Sequence, residues 1–198
     1  MTEEPAQSCS SGADAGSPPD FMPEVLSSRE VYRGKVVNLR VDEISLADGG
    51  RATREVVEHP GAVVIVALDA EDRVVMVRQY RHAIKRYLLE LPAGGLEPGE
   101  APLETAQREL REEVGAEAAV WTRLGSFFSS PGFANEMLHV FLAEDLRSAP
   151  AEPDDDEDIV VVRCKVGEVY KHLDDIQDAK SLAALLLLTR EREAGERD

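Results

Sequence analysis

The stretch GGLEPGEAPLETAQRELREEVG, residues 94–115, constrains this chain more than any other. A glycine-rich loop is followed within two turns by a helix-forming segment in which Glu109, Glu112 and Glu113 crowd together. Carboxylates at i,i+3 and i,i+4 spacing repel one another, so such a helix loses stability unless something positive sits among them. Carboxylate oxygens are hard ligands suited to Mg²⁺ or Mn²⁺, which keep positions open for water and for substrate phosphates.

At roughly 100° per residue, Leu103, Ala106, Leu110 and Val114 share one apolar stripe and are expected to pack on the core. Glu109, Glu112 and Glu113 fall on one flank of that stripe, and Glu104, Arg108 and Arg111 on the other. Arg108 follows Glu104 and precedes Glu112 by the same helical step, so it can pair with either. Gly94, Gly95 and Gly99, with Pro98, make a tight loop that brings backbone carbonyls near the helix start. Glu100 and Pro102 fit a helix opening. A Glu-rich helix is ordinarily just an exposed acidic surface; here the fixed spacing argues for a site.

That spacing resembles the signature of the Nudix hydrolases, G-x5-E-x7-R-E-U-x-E-E-x-G-U, with U a bulky aliphatic residue. Gly94, Glu100, Arg108, Glu109, Leu110, Glu112, Glu113 and Gly115 occupy its fixed positions, and only Ala116 is smaller than usual. The resemblance implies an α/β/α sandwich with a mixed sheet, an α/β fold in which loop, helix and loop carry metal. It also implies hydrolysis of a diphosphate that links a nucleoside to another group. Glu109, Glu112, Glu113 and the Ala93 carbonyl are the implied metal ligands for Mg²⁺, with Mn²⁺ as the alternative. Glu112 and Arg108 are implied in catalysis, Arg108 by orienting the glutamates.

Composition agrees with a globular enzyme. A chain of 198 residues, 43% hydrophobic and 31% charged, has enough apolar residues for one full core and does not demand a second. A net charge of −17 argues against nucleic acid or an anionic membrane as partner. Cys9 and Cys164 make neither a disulfide framework nor a metal motif, which suits a reducing cytoplasm. No window has the long apolar run of a membrane span, and the acidic start lacks the features of a signal peptide.

Residues 1–25, rich in Ser, Pro, Gly and acids, are expected to form a disordered tail. KVVNLRVDEISL, the Asp48-Gly49-Gly50 turn and RATREVVEH read as a hairpin, which places an N-terminal β region at 26–58. The remainder, 59–198, reads as the main domain. AVVIVALD and RVVMVRQY are β-branched runs of central strands. VWTRLGSFF, EMLHVFLAE and DIVVVRC read as later strands, and helices are expected at 166–173 and 179–194. His59, His82, His139 and His172 share no metal spacing and read as structural.

Residues outside the signature bear on substrate. SSPGFANE puts Pro131 fifteen residues beyond Ala116, and the segment resembles the ADP-ribose pyrophosphatase branch of the family, although a plain Pro-Gly turn gives the same residues. The resemblance implies Gly132 and Glu136 as contacts to the terminal ribose, and Arg54 and Arg81 as phosphate-binding residues. Surface solvation is the alternative for both arginines. PDDDEDI is ordinarily a solvated acidic loop. The branch implies instead that Glu157 reaches the metals or the nucleophilic water, with Asp155 as a shorter second carboxylate. The branch also implies a homodimer, with the N-terminal β region at the subunit boundary. The expected activity is metal-dependent cleavage of ADP-ribose to AMP and ribose 5-phosphate. The alternatives are another nucleoside diphosphate sugar as substrate, or a sensor that binds ADP-ribose without turnover.

Overall fold

Ala62–Leu68 is an unbroken apolar run, the pattern of a strand covered on both faces rather than one. In the computed structural model, which describes residues 21–150, 159–172 and 174–195, all seven of its residues are buried. The strands are β1 (Val25–Arg33), β2 (Asn38–Ser45), β3 (Arg51–Glu58), β4 (Ala62–Leu68), β5 (Arg73–Arg81), β6 (Arg86–Glu90), β7 (Ala93–Gly95), β8 (Ala116–Phe128), β9 (Met137–Ser148) and β10 (Ile159–Lys165). The helices are α1 (Pro102–Val114), the short α2 (Val166–Val169), which runs into a 3₁₀ turn, and α3 (Ala179–Gly195).

Side chains alternate across a strand, and β4 uses both sides. Val63, Ile65 and Ala67 pack with Ala106 and Leu110 of α1 and with Phe141. Val64, Val66 and Leu68 pack with Met76 and with Ala184, Leu185 and Leu188 of α3. The sheet is therefore sandwiched between α1 and α3, the expected α/β/α arrangement. Its strand order is β10-β5-β4-β9-β8, with β6 added to β5 and β7 to β4. The β4–β9 pairing is parallel and the others are antiparallel, so the sheet is mixed.

One edge of β4 is shared. β5 pairs with its C-terminal end at Ala67 and Leu68, while β7 pairs with its N-terminal end from Ala62 to Val64. That sharing pins Ala93, Gly94 and Gly95 beside the helix that follows them.

The buried face of α1 comprises Thr105, Ala106, Glu109, Leu110 and Glu113. It is rotated toward the glutamates from the stripe read off the sequence, and Leu103 is 39% exposed. The helix covers the β7 backbone as well as the sheet, and polar partners there make two buried glutamates tolerable. Gly115 closes the helix with φ 67°, its N–H reaching the Arg111 carbonyl at 2.9 Å.

The N-terminal sheet has three strands in the order β1-β2-β3, one more than the expected hairpin. The β2–β3 turn has Gly49 at φ 82°. Residues 1–20 of the expected tail lie outside the described residues, whereas Val25 already opens β1. Every residue of β1 is exposed, so it carries no inward apolar alternation and is held by backbone pairing to β2.

The two expected C-terminal helices are present, the first as α2 and its 3₁₀ turn. In α3, Leu185 and Leu188 are 1% exposed, whereas Leu182 and Leu186 lie on the open side. Leu188→Ala is expected to cost about 2–5 kcal/mol, because it removes a methyl cluster from a closed core; a urea melt measures it, and a loss below 1 kcal/mol would mean that α3 is loosely docked. No helix among the described residues is long and apolar enough to cross a membrane.

Candidate active site

The glycine loop and α1 meet at Gly94. A Cβ built there would lie 1.8 Å from the Glu109 carboxylate, so only glycine lets this side chain lie against the β7 backbone. Glu113, one turn further along, accepts the Ala93 N–H at 3.1 Å. Glu109 and Glu113 are thereby held at the strand that precedes their own helix.

Arg108 supplies the positive charge that this surface needs. Its guanidinium donates to both Glu100 oxygens at 3.1 Å, to Glu109 at 2.7 Å, to Glu112 at 2.8 Å and to the Gly95 carbonyl at 3.1 Å. The Glu100 hydrogen bonds, and the charges of Glu109 beside it, push the Arg108 pKa further up. Glu100 is held below the usual carboxylate range, first by Arg108 and then by the Thr105 hydroxyl. Glu104 takes no part; it accepts the Ala101 N–H at 2.8 Å and caps the helix start. Of the two partners open to Arg108 in the sequence, Glu112 is the one it uses.

A second polar cluster stands on the neighbouring wall. Glu90 ends β6 at 1% exposure. Arg81 donates to both its oxygens, at 2.8 and 2.7 Å, and Lys180 contacts one of them. Lys180 also donates to Asp178 at 2.8 Å. Asp178 caps α3 by accepting the Ser181 N–H and hydroxyl at 3.0 and 2.7 Å. Burial pushes the Glu90 carboxyl up, but Arg81 and Lys180 outweigh it and leave the group below its ordinary range.

Both clusters open into one cleft of about 620 Å³. Ala93, Glu109, Glu112, Arg108, Arg81 and Lys180 line it, with Lys35, His59 and Glu136. His59 Nδ1 accepts the Gly61 N–H at 3.1 Å and stands 3.6 Å from Glu136. The loop carrying Glu136 is tied to the end of β3 by Val57, which donates to the Phe133 carbonyl at 2.8 Å, and by Asn135, whose side chain accepts the His59 N–H at 2.9 Å. Another concavity, at the opposite end of β4, is lined by Asp69, Asp72 and Arg192 and holds none of the signature residues.

Of the residues singled out in the sequence, Ala93, Arg108, Glu109, Glu112, Arg81 and Glu136 therefore meet at the cleft, with Glu113 fixed to Ala93. Arg54 does not join them. It sits exposed on β3 opposite Asp42, and its guanidinium donates to the Thr53 carbonyl at 2.9 Å. Gly132 is exposed and does not line the cleft. Glu157 and Asp155 lie outside the described residues. Sequence reasoning missed Glu90, Lys180 and the cleft position of His59. A lone charge inside the apolar run LLEL was the available signal for Glu90.

Glu109 and Glu112 line the cleft with Ala93, Glu113 is held beside them by the Ala93 N–H, and carboxylate oxygen is the donor chemistry that suits a hard divalent cation. Among the described residues no three acidic, His or Cys side chains are already gathered as a ligand group. Arg108 holds Glu109 and Glu112 instead, and the Ala93 N–H holds Glu113.

Comparison with known proteins agrees with this arrangement. Residues 58–186 match the NUDIX domain, and residues 24–57 match the nucleoside diphosphate sugar hydrolase N-terminal domain. An ADP-ribose pyrophosphatase of Bacillus subtilis is 39% identical over 169 residues, 83% of this chain and 91% of that protein. An ADP-ribose pyrophosphatase of Mycobacterium tuberculosis is 50% identical over 125 residues, 63% of this chain and 60% of that protein. A crystal structure of an ADP compounds hydrolase superposes with a TM-score of 0.80 at 26% identity, covering 90% of this chain and 98% of the other. With the signature helix, the sandwich around it and a family match across more than half its length, the chain belongs to the Nudix hydrolase family.

Proposed function

We propose that this protein hydrolyses the diphosphate of ADP-ribose to AMP and ribose 5-phosphate with Mg²⁺, Mn²⁺ being the alternative ion. The observation that carries the reading is the meeting of Glu109 and Glu112 with the cations Arg81 and Lys180 in one cleft. The names of the similar proteins support the choice of ADP-ribose. In a chain of net charge −17, an anionic substrate needs such a local positive wall.

Glu109, Glu112, Glu113 and the Ala93 carbonyl would hold the metal, which when bound neutralises charge developing on the phosphates and acidifies water. Arg108 keeps the glutamates turned toward the cleft. Arg81 binds phosphate, with its guanidinium plane fixed by Glu90. Glu136 hydrogen-bonds the hydroxyls of the terminal ribose beside His59. Water adds to one phosphorus, the bridging P–O bond breaks, the bridging oxygen leaves with the other phosphate, and a carboxylate takes the water's proton. Glu112 and Glu157 are the assigned catalytic carboxylates. Glu157 lies outside the described residues, and its role rests on the resemblance of the acidic run PDDDEDI to the ADP-ribose pyrophosphatase branch.

Residues 26–58 serve as the dimerisation region and 59–198 as the hydrolase domain of a cytoplasmic homodimer. The exposed Val25, Leu26, Val31 and Tyr32 of β1 favour a partner there. Arg54 and Gly132, which stay out of this protomer's cleft, then meet substrate at the subunit boundary. The test is product analysis with ADP-ribose, ADP-glucose, GDP-mannose and NADH at equal concentration with Mg²⁺. AMP from ADP-ribose, abolished by EDTA, is expected to dominate. Preference for another substrate removes the ADP-ribose assignment, and binding without turnover makes the protein a sensor.

A further inference from the structure

Among the described residues Glu90 is the most completely buried carboxylate. Taking an ionised carboxylate out of water is costly, and an apolar side chain of similar size generally serves stability as well. Stability alone therefore does not account for it. Its partners suggest what does. Arg81 grips both its oxygens through a planar fork, and Lys180 reaches it from α3 while also bonding Asp178. Ser181 locks that end of α3 to the residue that follows β6, since its hydroxyl accepts the Leu91 N–H at 2.8 Å while donating to Asp178.

The arrangement is directional. Arg81 and Lys180 line the cleft, whereas Glu90 and Asp178 stand behind them and do not. The cluster is neutral in sum but turns its cationic side to the cleft that holds Glu109 and Glu112. A diphosphate offers two adjoining anionic groups, and a guanidinium fork beside a compact ammonium matches them with one planar and one point donor.

We propose that Lys180 is a second substrate-phosphate-binding residue, paired with Arg81, and that the buried Glu90 is the positioning residue that fixes both cations at the cleft wall. This rests on the reading of Arg81 as a phosphate ligand. Lys180 comes from a helix some ninety residues beyond β6, so α3 docking and substrate affinity are coupled through one carboxylate.

The test is the Kd of ADP by calorimetry in EDTA, with kcat and KM for ADP-ribose and Mg²⁺, on the wild type, Lys180→Met, Lys180→Arg and Glu90→Gln. Lys180→Met is expected to weaken ADP binding ten- to a hundredfold and to raise KM more than it lowers kcat, with Lys180→Arg recovering most of the loss. Glu90→Gln is expected to weaken ADP binding similarly, and adding it to Lys180→Met to cost less than the two separate losses together. If Glu90→Gln does not fold, the two lysine variants decide. Wild-type Kd and KM in Lys180→Met overturn the proposal, even if its melting temperature falls. A wild type inactive on ADP-ribose whose ADP binding is lost in Lys180→Met sinks the activity and leaves the cation pair standing.

Discussion

Glu112→Gln is expected to lower kcat for ADP-ribose by about 10²–10⁴-fold, the size of a lost acid–base or charge-stabilising group, while the folded protein remains about as stable as before. The two halves of that expectation come from the same geometry. Glu112 stands at the cleft, one of three carboxylates gathered on the Arg108 guanidinium. Removing its charge weakens one bond to Arg108 but also relieves like-charge repulsion along α1, and each of these effects is worth only about 0.2–0.5 kcal/mol on a helix surface. The amide keeps the shape and an oxygen acceptor for Arg108. Product chromatography and a urea melt on one preparation check both. A kcat within twofold of wild type at saturating Mg²⁺ would remove Glu112 from the reaction; a loss of activity accompanied by unfolding would make it structural.

The contrast between the two halves also explains which parts of the site were legible in the sequence. Carboxylates kept at mutually repelling positions run against local helix stability, and a conflict between local preference and retained residues is visible without a structure. Glu109, Glu112 and Glu113 stand out that way, Gly94, Glu100 and Arg108 through the resemblance to the Nudix signature, and β4 through its lack of alternation. What the sequence did not carry was how far α1 rolls. Helical projection centres the buried face on Leu103 and Val114, but the real face is set by contact with β7. That contact exists only because β7 and β5 share one edge of β4.

Long-range partners were harder still. Lys180 and Glu90 are brought together by α3 docking beside β6, and nothing near either residue in the chain announces the other. β1 was missed for a different reason. Its residues are all exposed, so its order comes from main-chain pairing to β2, to which side-chain alternation is blind. The resemblance to the ADP-ribose pyrophosphatase branch implies Arg54 in phosphate binding, yet within this chain its strand belongs to the other sheet.

Gly94→Ala tests the junction on which the whole site depends. The added methyl would fall 1.8 Å from the Glu109 carboxylate, well inside any real contact, so one of the two must move. Glu109 has little freedom to do so: it is 9% exposed and tied to Arg108 at 2.7 Å. The expected result is a fall in kcat of about 10²–10³-fold, as a displaced charged group no longer meets its target, with about 1–3 kcal/mol lost to overpacking. A general weakening of the loop would give a similar fall, so the deciding measurement is a double-mutant cycle on stability. If the clash is with the glutamate, Gly94→Ala adds little in the Glu109→Ala background, because the new methyl then occupies the space that the carboxylate has left. Equal losses in both backgrounds would mean that the glycine serves the backbone of β7 and not the approach of Glu109.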